Sequence, residues 1–185
     1  MSRNKSMLKK IVLAAVLVLA AAFQPAQAAD PENTLIMDLP WGQVVIEMRP
    51  DLAPKHVERI KELTRKGFYN GTPFHRVIEG FMAQGGDPTG TGTGGSGTKL
   101  AAEFSGEHFV RGVVGMARAS SPNSADSQFY IMLASAPSLD GKYTIWGNVI
   151  QGMEHVDRIT KGTDSSGVVP NPDKVVRMRV AADVK

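Results

Sequence analysis

Beyond the first thirty residues the chain alternates short apolar runs with glycine, proline and asparagine. Thr34 to Leu39 (TLIMDL) and Gln43 to Met48 (QVVIEM) read as two strands joined by the turn Pro40-Trp41-Gly42. In the second, Val44, Ile46 and Met48 alternate with Gln43, Val45 and Glu47, the period of a half-buried strand. The period then changes. Pro54 can open a helix where its missing N–H costs nothing; Val57, Ile60, Leu63 and Thr64 recur at helical spacing, and Gly67 ends the element. Further apolar runs fall at Phe74–Ile78, Phe81–Gln84, Gly112–Ala117, Gln128–Leu133 and Thr144–Ile150. A short second helix fits Met153–Thr160, and a last strand fits Lys174–Val180. Many short strands, few helices and dense turn signals predict an all-β barrel or sandwich.

The first 28 residues follow another rule. Arg3, Lys5, Lys9 and Lys10 precede an unbroken apolar run of 13 residues, Ile11 to Phe23, and Ala26-Gln27-Ala28 follows. A positive start, a short apolar centre and small residues before the cut define a secretory leader. A membrane anchor is the alternative, but a spanning helix needs about 20 apolar residues. Cleavage is expected between Ala28 and Ala29, which divides the chain into a leader, 1–28, and one domain, 29–185. That places the mature protein in the periplasm, with secretion as the alternative and no stable membrane association after cleavage.

Removing the leader changes the charge. The whole chain carries 21 basic and 18 acidic residues, a net +3. Without the four basic residues of the leader, 17 face 18, a net −1. A near-neutral domain has no broad attraction for nucleic acid or an anionic membrane surface. Cysteine is absent, which excludes disulfides, thiol catalysis, cysteine-ligated zinc and a lipid anchor on cysteine.

Several motifs carry less than they suggest. Gly85–Gly97 (GGDPTGTGTGGSG) contains Gly90-x-Gly92-x-x-Gly95, but the dinucleotide fingerprint needs a following helix in a βαβ unit. Nothing around it provides one, so the stretch reads as a flexible loop. His56, His75, His108 and His155 lack metal-ligand spacing, and the serines from Ser120 to Ser127 lack a Gly-x-Ser-x-Gly setting. No metal and no cofactor are expected.

A more specific pattern remains. Phe74-His75-Arg76-Val77-Ile78-Glu79-Gly80-Phe81-Met82-Ala83-Gln84-Gly85-Gly86-Asp87 closely resembles the signature of the cyclophilins. So do Gly115-Met116-Ala117-Arg118-Ala119, Ser127-Gln128-Phe129-Tyr130-Ile131, and Leu139-Asp140-Gly141-Lys142-Tyr143-Thr144-Ile145-Trp146-Gly147. The resemblance covers about residues 33–181 and, with the leader, is to a bacterial, exported member. It implies a closed eight-stranded antiparallel β-barrel capped by two α-helices, with a groove on its outer surface. It also implies a monomeric peptidyl-prolyl cis-trans isomerase acting on proline-containing unfolded or partly folded polypeptides and assisting the folding of exported proteins. The alternative on the same barrel is a non-catalytic chaperone or proline-peptide-binding module.

In the resemblance Arg76 is the catalytic arginine. Phe81, Met82, Tyr130 and Leu139 line the proline pocket, and Gln84 is the ligand of the substrate backbone beside Arg76. Ala117 and Arg118 fall where the main chain pairs with substrate, and Tyr143 is a further substrate-binding position. His75 adjoins the site as a structural residue. Three positions depart from the family: Tyr130 replaces a usual Phe, Tyr143 replaces a frequent His, and Ser138 replaces the Trp that holds cyclosporin in eukaryotic members.

Overall fold

The predicted strand pair forms as β1 (Thr34–Leu39) and β2 (Gly42–Met48), with Val44, Ile46 and Met48 buried as their alternation demands. The computed structural model describes residues 29–184. The expected leader, with Ala28 of the cleavage pair, lies outside the described residues. Helix α1 (Pro54–Arg65) buries His56, Val57, Ile60, Leu63 and Thr64, and Gly67 follows at φ +70°, a conformation other residues rarely take. Its N-cap, Ala53, has no side-chain acceptor. Glu103, far along the chain, supplies one: its carboxylate accepts from Lys55 N at 3.1 Å and His56 N at 3.0 Å.

Six more strands follow: β3 (Arg76–Ile78), β4 (Met82–Gly85), β5 (Val113–Met116), β6 (Phe129–Met132), β7 (Ile145–Gln151) and β8 (Arg177–Val180). They join β1 and β2 in one eight-stranded antiparallel sheet of order β3-β4-β6-β5-β7-β2-β1-β8. The sheet is an open half-barrel, which corrects the expected closed barrel. Its end strands, β3 and β8, do not pair. The segment before β8 covers the gap with single bridges, Arg76 to Val168 and Pro73 to Lys174. Pro170 and Pro172 lie in that segment and have no N–H to give, so a continuous ladder cannot run through it.

Helix α2 (Met153–Asp157) is shorter than the pattern predicted. Arg158 and Ile159 turn to the tighter i→i−3 bonds, and Thr160 N goes to the Asp173 carboxylate at 2.8 Å. The last strand starts at Arg177 rather than Lys174, because Val175 pairs with Thr72 and Gly71 instead.

The core lies inside the curved sheet and is closed by α1. Phe129 sits at its centre, meeting Tyr69, Phe74 and Trp146 edge-on at 5.7, 6.3 and 6.0 Å between ring centres. Such edge-to-face contacts add about 0.5–1.5 kcal/mol each beyond their buried area. This packing fixes the orientation of β6, and with it the opposite face of that strand.

Candidate active site

Strand periodicity separates core from site. On β3, β4 and β6, Val77, Ala83, Phe129 and Ile131 join the core, while Met82, Tyr130 and Met132 join a second apolar cluster on the other face. Register then aligns that face: Arg76 lies opposite Gln84, Gln84 opposite Tyr130, and Tyr130 opposite Gly115. One row across four strands therefore carries a guanidinium, an amide and an aromatic ring. Leu139, on the short turn Pro137–Leu139, and Tyr143 close the other side against this second cluster.

A groove of about 140 Å³ results, and it brings together all nine residues singled out from the sequence. Arg76 and Gln84 form its polar wall. Phe81, Met82, Tyr130 and Leu139 are its apolar part, and Ala117, Arg118 and Tyr143 its far rim. Arg76 Nε donates to Ser166 O at 2.9 Å, and its Nη1 to Gln84 Oε1 at 3.3 Å. Gln84 Nε2 donates to Gln128 Oε1 at 3.0 Å, and Gln128 Nε2 to the carbonyls of Gly92 and Gly94 at 3.0 and 2.8 Å. The guanidinium is thus held at the head of a chain of amides, with its Nη2 uncommitted among the described residues. Gln128 is missing from the sequence-based set. The available signal was its place two residues before Tyr130, hence on the same strand face.

The glycine-rich stretch is not the flexible loop expected. Two buried carboxylates pin it. Asp87 accepts from Thr89 N and Oγ1, each at 2.8 Å, and from Gly92 N and Gly94 N at 2.7 and 3.0 Å. Asp126 accepts from Ser96 N at 2.7 Å and Gly97 N at 3.0 Å. Burial alone would raise the Asp87 pKa, but these donors outweigh it and bring it down to about 2. A carboxyl lowered this way holds its loop above the ordinary carboxylate range and releases it only as pH falls toward that value. Glycine-rich composition allows flexibility; here it leaves amides free to converge on a carboxylate.

His75 is buried beneath this loop, with neither ring nitrogen in a hydrogen bond among the described residues. Burial pushes its pKa below the ordinary histidine value, consistent with a structural role.

Tyr130 is the main chemical oddity of the groove. It is 5% exposed, and its hydroxyl has no hydrogen-bond partner among the described residues. Its ring stacks on Phe109 at 5.9 Å and meets Tyr143 edge-on at 6.1 Å. Gly115 makes room: a Cβ there would lie 2.6 Å from Tyr130 Cζ and 2.7 Å from its hydroxyl. A buried hydroxyl without a partner costs about 1–3 kcal/mol. Tyr130→Phe should therefore raise stability by about 1 kcal/mol and Tm by roughly 2–4 °C, read by thermal unfolding. A variant that melts lower would show that the hydroxyl has a partner in solution.

The family model described as cyclophilin type peptidyl-prolyl cis-trans isomerase/CLD matches residues 34–180. A probable peptidyl-prolyl cis-trans isomerase of Brucella suis biovar 1 is 54% identical over 177 residues, 89% of this chain and 90% of its own length. One from Arabidopsis thaliana is 40% identical, covering 83% and 96%. Among solved structures, a cyclophilin from Hirschia baltica superposes with a TM-score of 0.75 at 30% identity, covering 85% of this chain and 77% of that one. A Cryptosporidium parvum cyclophilin type isomerase, solved in the presence of the dipeptide Ala-Pro, gives 0.73 at 32%, covering 80% and 98%.

Proposed function

Because this chain belongs to the cyclophilin-type peptidyl-prolyl cis-trans isomerase family, it is a peptidyl-prolyl cis-trans isomerase, and we propose that Arg76 is its catalytic donor. The barrier to be lowered is amide resonance, about 18–20 kcal/mol. Unassisted, X-Pro bonds rotate in tens to hundreds of seconds. No covalent bond changes, so the reaction needs no nucleophile. In the twisted transition state the prolyl nitrogen recovers its lone pair and becomes an acceptor. A donor fixed near that nitrogen binds the twisted form better than either planar form, and only such a difference accelerates rotation.

The residues divide this work. Phe81, Met82, Tyr130 and Leu139 grip the proline ring, leaving the preceding residue free to swing. Arg76 supplies the charge; a guanidinium is planar, permanently charged and rich in donors. Gln84 meets the substrate backbone, as do the main-chain groups of Ala117 and Arg118. Gln128 holds Gln84 in place. The observation that carries the reading is a groove in which an anchored guanidinium, its Nη2 uncommitted among the described residues, faces an apolar pocket. It is tested with a protease-free isomerisation assay on an Ala-Pro peptide, using residues 29–185. A rate equal to the uncatalysed one would reject the activity.

We extend the proposal to place. The chain is read as a bacterial protein exported through residues 1–28, acting as a monomer in the periplasm on proline-containing segments of folding proteins. Support comes from the leader pattern alone. N-terminal sequencing of protein from the envelope fraction should begin at Ala29. Full-length chain held in the inner membrane would mark the segment as an anchor.

A further inference from the structure

Two arginines line the groove, Arg76 and Arg118, and neither makes an ion pair with a described carboxylate. Two acids beside the glycine-rich loop are already committed. Asp87 and Asp126 hold the glycine-rich loop, and Asp126 also pairs with Lys99 at 3.4 Å. Arg118 is the more unusual of the two cations, because it stands between two cavities. The groove opens beside a second space of about 310 Å³, walled by Gly92, Lys99, Ser124, Asp126 and Gln128. Arg118, Ala117 and Gln84 belong to both.

Its side chain is fixed by neutral partners. Nη1 donates to Ala119 O at 2.9 Å and Ser120 O at 3.1 Å, while Nη2 donates to Lys142 O at 3.1 Å. Nε reaches the same Lys142 carbonyl at 3.4 Å, and the guanidinium carbon sits 4.4 Å from the centre of the Tyr143 ring. Carbonyls and an aromatic face orient a guanidinium and stabilise its charge without cancelling it. Up to four of its five N–H groups are used, which leaves one donor and the full positive charge for a substrate.

We propose that Arg118 makes this isomerase select X-Pro segments that carry an aspartate or glutamate within about three residues of the proline. The inference rests on the isomerase reading of the groove and adds a substrate class to it. A carboxylate entering either space meets Arg118; in the second space the Lys99 charge is offset by Asp126, with which it pairs, so the attraction rests on Arg118. A lysine at the same place meets the like charge of Arg118. Tyr143 acts as a positioning residue, holding the guanidinium flat against the rim.

The probes are alanine-based peptides with a central Ala-Pro bond and one Glu, Gln or Lys at successive flanking positions. In about 10 mM salt, the wild-type enzyme should favour Glu over Lys by roughly 3–10-fold in kcat/KM at one or more positions. A tenfold ratio is about 1.4 kcal/mol. About 1 M salt should bring the ratio toward one, since the Debye length falls from about 30 Å to about 3 Å. Arg118→Gln should flatten the ratio at low salt, and Arg118→Lys should keep part of it. Because each ratio compares peptides on one protein, a general loss of activity in a variant leaves it readable; if Arg118→Gln fails to fold, the wild-type salt series and Arg118→Lys decide. A flat ratio in the wild type, or an unchanged one in Arg118→Gln, overturns the proposal. Turnover of the uncharged Ala-Pro peptide separates the two readings: its absence rejects the isomerase, and its presence with flat ratios rejects only the acidic preference.

Discussion

Replacing Arg76 with alanine should lower kcat/KM by about 10²–10³, the range for losing one preorganised electrostatic donor. The fold should be almost unaffected. The Arg76 backbone keeps its place opposite Gln84 and its bridge to Val168, and its side chain is only half-buried at the groove wall. What disappears is the charge proposed to stabilise the prolyl nitrogen, and with it the partner of Gln84 Oε1. Arg118 cannot take over, because its guanidinium is tied to the opposite rim by Lys142, Ala119 and Ser120. Arg76→Lys should fall between, since an ammonium keeps the charge but cannot hold Ser166 O and Gln84 while offering a further planar donor. Steady-state rates and a thermal melt on the same preparations decide the matter. Activity within twofold of wild type, with the melt unchanged, would remove Arg76 from the mechanism.

Cyclosporin should bind the wild type at least tenfold, and up to about a thousandfold, more weakly than it binds relatives with tryptophan at the position of Ser138. An aromatic side chain fully enclosed buries roughly 150–250 Å². At about 25 cal/mol per Å², even partial burial contributes a few kcal/mol, and each 1.4 kcal/mol is about tenfold in affinity. Ser138 is exposed on the turn Pro137–Leu139, and its recorded bond is through its carbonyl, which accepts from Lys142 Nζ at 3.1 Å. Ser138→Trp therefore breaks no side-chain hydrogen bond among the described residues. It should tighten cyclosporin binding by about 10–1000-fold while changing X-Pro turnover by less than about threefold, because Ser138 is not among the groove-lining residues. Titrating both proteins with the drug checks this. Equal inhibition would mean that another residue replaces the indole.

The site was legible for a particular reason. Phe81, Met82, Tyr130 and Leu139 are apolar, and periodicity alone would have placed them in the core. Strands β5 and β6 are buried on both faces, so they show none of the alternation that marks an inside and an outside. Only the family motif separated Tyr130 from Phe129. Gln128 carries no such mark, because an amide in a strand reads as a surface residue until its neighbours across the sheet are known. In the glycine-rich loop composition reports only backbone freedom, whereas its order comes from Asp87 and Asp126.

By itself the sequence determined the local elements: the alternation of β2, the apolar stripe of α1, the turns, and the order of motifs that identifies the family. These depend on neighbours within a few residues, and period and turn chemistry encode them directly. Tertiary structure alone decided whatever depends on partners far along the chain. Glu103 caps α1 across 47 residues, measured to His56. Register sets Arg76, Gln84 and Tyr130 in one row. Pro170 and Pro172 mark a break in the chain, but only the placement of their segment beside β3 shows that the break leaves the sheet open. Such contacts depend on where distant segments meet, and nothing in the spacing along one strand records which residue will lie opposite another.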